Sequence, residues 1–194
     1  MTKIDFKKLF EIVLRQCVFT ILNIYALSKI FGGQFYMKGK LPLEVAETTL
    51  GDAGSFSLAW TFMGHSYFYI LFVGITQLVG AWFLLWNKTK LLGVLILMPI
   101  MINIIIFDII FLDVYPALAN AVIVFSMLLL ILIFNKEHLI EIFQVLINFP
   151  TTTNGPIKSR ILIIGITIIV IALIFAFDSL IEYWFGVSTE KITE

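Results

Sequence analysis

The chain has 194 residues, of which 60% are hydrophobic and 13% charged, with thirteen basic residues balanced by thirteen acidic ones. Together with a mean hydropathy of +1.03, this is too apolar for a soluble domain of that length, and the zero formal charge argues against a nucleic-acid partner. Cys17 is the single cysteine, which excludes an internal disulfide framework and any CxxC redox pair.

A helix rises about 1.5 Å per residue, so about 20 apolar residues cover the roughly 30 Å of bilayer hydrocarbon. Five stretches qualify: 10–31, 67–86, 91–112, 116–134 and 161–185. Lipid offers no partner to free backbone N–H and C=O groups, so each is expected to be helical, and the fold class is an all-α, polytopic integral membrane bundle with the bilayer as its first partner. The organisation expected is a four-helix core over 10–134, an interfacial helix and linker over 135–160, and a fifth span over 161–185.

The first stretch follows a basic head, "MTKIDFKK", but contains Asn23 and Lys29 and lacks a small-x-small cleavage site, so it reads as an uncleaved span. The loop after it, 32–66, contains "GSFSLAWTFMGHS", whose Trp60, Phe62 and Met63 suit a short helix capping the bundle at an interface. The second and third spans are joined only by "NKTK" and form an antiparallel hairpin. Pro99 in the third removes an N–H that would bond the Leu95 carbonyl. Asn103 stands one turn on, placed to compensate, and a kink is expected there. Pro116 suits the first turn of the fourth span. After it, Glu137, Glu141, Gln144 and Asn148 share one helical face opposite Leu139, Ile142 and Phe143, which reads as an amphipathic interfacial helix. "FPTTTNGP" then breaks the chain before the fifth span.

Five spans alternate sides. Lys3, Lys7, Lys8, Lys88, Lys90, Lys136, Lys158 and Arg160 fall on one side, against Lys38, Lys40 and Lys191 on the other. Basic residues concentrate in cytoplasmic loops, which places the N-terminus in the cytoplasm and the C-terminus outside, in a bacterial plasma membrane.

With that topology the intramembrane polar residues gather in the outer half: Tyr25 and Lys29 in the first span, Asp108 in the third, Asn120 in the fourth, Asp178 and Glu182 in the fifth. Arg15 and Gln16 alone mark the inner half. A carboxylate facing lipid costs on the order of 2.5–3.5 kcal/mol on insertion scales, so Asp108 is expected to face the bundle interior, with Lys29 as its partner and Tyr25, one turn away, donating into the same site. In the second span Gly74, Gln77 and Ala81 form a small-and-polar face that admits a neighbouring helix, and Ala117, Asn120 and Ala121 do the same in the fourth. Lys29, Asp108, Asn103, Gln77, Asn120, Tyr25 and Asp178 are therefore the candidate ligand-binding or proton-linked residues. The bland alternative is a structural Lys29–Asp108 pair that fixes helix register.

Catalytic signatures are missing from the sequence. There is no glycine-rich phosphate loop, HExxH or GxSxG, and His65 and His138 fall at opposite interfaces, where they cannot share a haem or metal ion. No catalytic residue, metal or cofactor is expected.

"ALSKIFGGQF" (26–35), followed by "GITQLVGAWFLLWNKTKLLG" (74–93), resembles the DoxX-like family of small four-helix membrane proteins. In that family a first helix ends in a G-x-x-K-like element, and a second carries a polar residue just before glycine and then a basic turn. The resemblance covers about 10–134 and draws attention to Lys29, Gln77 and Gly80. It implies a helical bundle acting as an accessory subunit of quinone-linked redox complexes, or in a chaperone-like role. The chain departs from the pattern with Ser28 before Lys29, with Gln77 where glutamate is common, and with a fifth span.

Two functions follow as expectations. One is a non-catalytic membrane subunit or binding module whose outer polar pocket takes a quinone-like or other amphiphilic small molecule, or a helix of a partner membrane protein. The other is a proton-coupled transporter or membrane enzyme with Asp108 as proton carrier.

Overall fold

The computed structural model describes residues 6–112, 115–148 and 157–185, and all regular structure among them is helical. In chain order the helices are α1 (Phe6–Ile30), α2 (Leu43–Ala46), α3 (Ser55–Gly64), α4 (Tyr67–Phe83), α5 (Lys90–Phe111), α6 (Tyr115–Phe134), α7 (Lys136–Ile147) and α8 (Ile157–Phe185). Two units are distinguished, one running to Gln144 and the other from Val145. The site lies in the first.

In that unit α1, α4, α5 and α6 run up, down, up and down. They close a ring in which α1 packs on α4 and α6, and α5 on α4 and α6, so that α1 and α5 face each other diagonally. The ring follows from spacing. Buried positions recur at intervals of three and four residues in α1 (Leu14, Val18, Leu22, Ala26) and α6 (Ala121, Val124, Leu128, Ile131), which keeps one stripe of each helix on the axis. Leu84 from the end of α4, and Val94, Leu97 and Met101 from α5, complete the core.

Glycine sets how closely α4 and α5 approach. A Cβ on Gly93 would lie 2.8 Å from the Gly80 carbonyl oxygen and 3.0 Å from the Leu84 nitrogen, both backbone atoms with no room to yield. Gly93→Ala is therefore expected to cost about 1–3 kcal/mol through overpacking. The comparison is Gly165→Ala on α8, where a Cβ meets nothing within 4 Å and no loss is expected. Denaturant titration of both variants in detergent reads the difference.

The end of α1 is fixed by the "KIFGG" sequence. Gly32 adopts φ +74°, its N–H donates to the Lys29 carbonyl at 3.0 Å, and that of Gly33 donates to the Ser28 carbonyl at 2.9 Å. This paired closure needs a left-handed residue after the helix, which glycine supplies without a Cβ penalty. It holds Lys29 in the last turn of α1.

Among the described residues, four helices are long and apolar enough to cross a membrane: Phe6–Ile30, Lys90–Phe111, Tyr115–Phe134 and, within α8, Arg160–Ile181. The expected second span differs. α4 stops at Phe83 and reaches spanning length only together with α3, from which it is bent by 90°. The early stop has a visible cause. Thr89 Oγ1 donates to the Phe83 carbonyl at 2.8 Å, and Arg15 donates to the Leu84 and Leu85 carbonyls at 2.6 Å each, so side chains take up carbonyls at the helix end.

The capping segment of the 32–66 loop is helical, as α3, and packs on α4 and α5. α7 follows α6 across Asn135, whose side chain donates to the Ile131 carbonyl at 2.8 Å. α7 buries none of its residues, which suits an amphipathic surface helix. In the second unit, α8 has no buried residue from Arg160 to Ile181. The break "FPTTTNGP" and the C-terminal Lys191 lie outside the described residues.

Candidate functional site

The C-terminal end of α1 and the diagonal face of α5 carry the two buried charges of the upper ring. Lys29 is 6% exposed and Asp108 7% exposed. Between them lies a cavity of about 320 Å³. Leu22, Tyr25 and Lys29 of α1, Gln77 of α4, Met101 and Asp108 of α5, and Asn120 and Val124 of α6 line it, and α3 closes it with Phe56 and Trp60. The small side chains Ala117 and Ala121 leave the space open on the α6 side.

Lys29 and Asp108 share this cavity without forming an ion pair. The Lys29 ammonium donates instead to Gln77 Oε1 at 3.0 Å, an acceptor only 1% exposed. The expected partnership is corrected accordingly: helices on a diagonal of a four-membered ring are held apart by their two neighbours, and α4 supplies the nearer polar group. Lys29 Nζ also lies 6.0 Å from the centroid of the Tyr25 ring, within cation–π range. Tyr25 in turn accepts from Asn120 Nδ2 at 3.2 Å, tying α6 to α1 across the cavity mouth.

Asn103 is not part of this cavity's lining. Asn103 does not satisfy the Leu95 carbonyl; it is exposed on α5 and lines, together with Lys29, Asp108, Gln34 and Trp60, a second crevice of about 510 Å³. α5 continues as helix through Pro99. Asp178 is exposed on α8, in the other unit. The side chain of Glu182 lies outside the described residues.

Sequence reasoning missed three features. Gln34, just past the glycine closure of α1, lines both cavity and crevice, and its buried Oε1 has no partner among the described residues. Phe56 stacks on Trp60 with ring centroids 4.3 Å apart, giving the cavity an aromatic roof. At the opposite end of the ring, Arg15 is the hub of a second polar cluster. It lies 3.5 Å from Glu11 and donates to Asn87 Oδ1 at 2.7 Å, while Lys90 meets Glu11 at 2.7 Å. The i, i+4 spacing of Glu11 and Arg15 inside an apolar stretch was the available signal.

The cavity offers an ammonium donor, a carboxylate, a free amide oxygen and stacked aromatic rings in an apolar frame. Among the described residues no three histidine, cysteine or acidic side chains are grouped to hold a metal ion.

The chain is 39% identical over 85 residues to the uncharacterized protein YwoB of Bacillus subtilis (strain 168). The aligned region takes in 44% of this chain and spans about half, 51%, of that relative. No protein-family model matches the chain, and no solved structure matches it.

Proposed function

We propose that this is a non-catalytic integral membrane protein, DoxX-like in its four-helix ring, whose cavity between Lys29 and Asp108 binds the polar head of a quinone-like or similarly flat amphiphile. The orientation that goes with this reading has the N-terminus cytoplasmic and the cavity in the outer half of the bilayer, supported by the excess of basic residues on the N-terminal side. α8 is the fifth span.

One observation carries the reading: space, rather than contact, separates the two buried charges. A purely structural pair would close on itself, because two desolvated charges gain most at contact distance. Here Lys29 is turned onto Gln77, and the void beside it has the size of a small-ligand pocket. A quinone carbonyl accepts from the ammonium, its hydroquinone hydroxyl donates to Asp108 or to the Gln34 oxygen, and Trp60 and Phe56 cover the ring face.

The test uses menadione, a naphthoquinone without a long tail, titrated against the purified protein in detergent with tryptophan fluorescence as the signal. Saturable quenching is expected in the wild type, absent in Trp60→Phe. Ala121→Leu, which fills the cavity and leaves every polar group in place, is expected to abolish it. Lys29→Met and Asp108→Asn are each expected to weaken it about tenfold or more, the loss of one charged hydrogen bond. Unchanged binding in Ala121→Leu, or in both charge variants, removes the proposal.

A further inference from the structure

A head group held between Lys29 and Asp108 leaves the rest of its molecule to be placed. The cavity does not continue into the bundle, because the buried side chains of Leu22, Met101 and Val124 close it two turns below those charges. The crevice of about 510 Å³ does continue. It lies between α3, α4 and α5, and Lys29, Gln34, Trp60, Ile104 and Asp108 line it and the cavity alike. The two spaces therefore meet at those side chains. Their junction has two characters: Lys29, Asp108 and the buried Gln34 oxygen, which has no partner among the described residues, are polar, whereas Trp60 and Ile104 are apolar.

Beyond the junction the lining turns apolar. Phe35, Phe72, Val73, Ile100 and Phe107 border the crevice alone, and Thr76 turns its hydroxyl back onto the Phe72 carbonyl at 2.6 Å. Along α5 the lining runs from Asp108 back to Pro99, roughly 13 Å at about 1.5 Å per residue. It begins near the C-terminal end of a helix that covers Lys90–Phe111 and stops near the middle of that helix. Its flank is open, with Phe62 71% and Phe72 61% exposed. In a bilayer this is the course of an amphiphile's hydrocarbon, from polar groups near one surface towards the centre.

We propose that the crevice holds the hydrocarbon tail of the ligand whose head occupies the cavity, so that the site takes a long-tailed, membrane-resident amphiphile. This rests on the cavity being a head site, and it adds the class of molecule. The first atoms of the tail leave the ring along Trp60 and Ile104, on the apolar side of the junction. Transfer from lipid to the crevice brings no hydrophobic gain, because lipid is equally apolar. What the crevice supplies is an exit that leaves the head in place. The other way out, between α1 and α6, is crossed by the Asn120–Tyr25 hydrogen bond at 3.2 Å, which a tail there has to break.

The experiment compares menadione with phylloquinone, the same naphthoquinone ring bearing a phytyl tail. Each is titrated against the full chain at one detergent concentration, with tryptophan quenching as the signal. The readout is the ratio of variant to wild-type Kd for each ligand, in which partitioning of the tailed ligand into micelles cancels. Val73→Phe on α4 and Asn103→Phe on α5 add bulk to the crevice from two walls, and neither residue lines the cavity. Each variant is expected to weaken phylloquinone about tenfold, the size of a modest overpacking penalty, and to leave menadione within about twofold. Asn103 is exposed, so its variant is expected to fold even if Val73→Phe does not, and a Tm matching the wild type checks this. Phylloquinone binding unchanged in the folded Asn103→Phe variant overturns the tail assignment, while menadione, still bound, keeps the head site. Equal losses of both ligands overturn it too, because the crevice then serves the ring. If neither ligand quenches saturably in the wild type, head site and tail site fall together.

Discussion

Arg15→Met is expected to lower the unfolding free energy by about 3–5 kcal/mol, the range for removing one partner from a buried charged network. At 5% exposure, the guanidinium donates to two backbone carbonyls at the α4–α5 turn and to Asn87, all within 2.7 Å. Methionine fills much of the volume but donates nothing. The Leu84 and Leu85 carbonyls then lose partners that α4 cannot supply, because its helical bonding ends at Phe83. Glu11 loses one of its two cations. For a chain of this length the loss corresponds to a fall in Tm of roughly 6–20 °C. Arg15→Lys separates geometry from charge. An ammonium restores the attraction to Glu11 but not the planar fork that serves three acceptors at once, so recovery of less than half the loss is expected. Unfolding followed by circular dichroism in detergent provides the measurement. An Arg15→Met variant within about 0.5 kcal/mol of wild type, the range of ordinary surface substitutions, would show that water serves those carbonyls instead.

The same residue marks where the sequence stopped being readable. The apolar runs of α1, α5 and α6 announce themselves, because burial or lipid must cover about twenty consecutive apolar side chains and helix is the economical way to do it. The aromatic helix α3 was also legible, resting on local chemistry within ten residues. The end of α4 was not, because its carbonyls are claimed by a side chain 69 positions away. Long-range partners explain the misassignments in the cavity too. Lys29 and Asp108 were rightly placed at one end of the bundle, yet depth along a helix does not say which helix is adjacent and which is diagonal. That depends on the order of packing around the ring, which put Gln77 nearer than Asp108. Asn103 was assigned by spacing to Pro99, whereas the turn of α5 that buries Asp108 leaves Asn103 on an exposed face.

Gln77→Glu is expected to move stability and ligand binding in opposite directions, and this separates a scaffold from a site. In the wild type a charged donor meets a neutral acceptor at 3.0 Å, a contact in the class worth about 1.5–3 kcal/mol. Gln77→Leu removes the acceptor, leaving the ammonium buried without its direct partner, and a loss of that size is expected. Lys29→Met alone strands the Gln77 amide oxygen and takes the countercharge away from Asp108. The double variant Lys29→Met/Gln77→Leu removes donor and acceptor together, so it is expected to be more stable than the two single losses added, by about the same 1.5–3 kcal/mol. Gln77→Glu places a carboxylate on Lys29 in the geometry already present, and a charge-assisted contact is expected to hold the fold as well as the amide or better. If Lys29 serves only to fix α1 against α4, nothing else changes. If it serves a ligand in the cavity, the new carboxylate competes for the ammonium and adds a negative charge beside Asp108, so naphthoquinone affinity falls while unfolding free energy holds or rises. Parallel titrations on one preparation decide the matter. Undiminished binding in Gln77→Glu would assign Lys29 to the scaffold and leave the cavity without its principal donor.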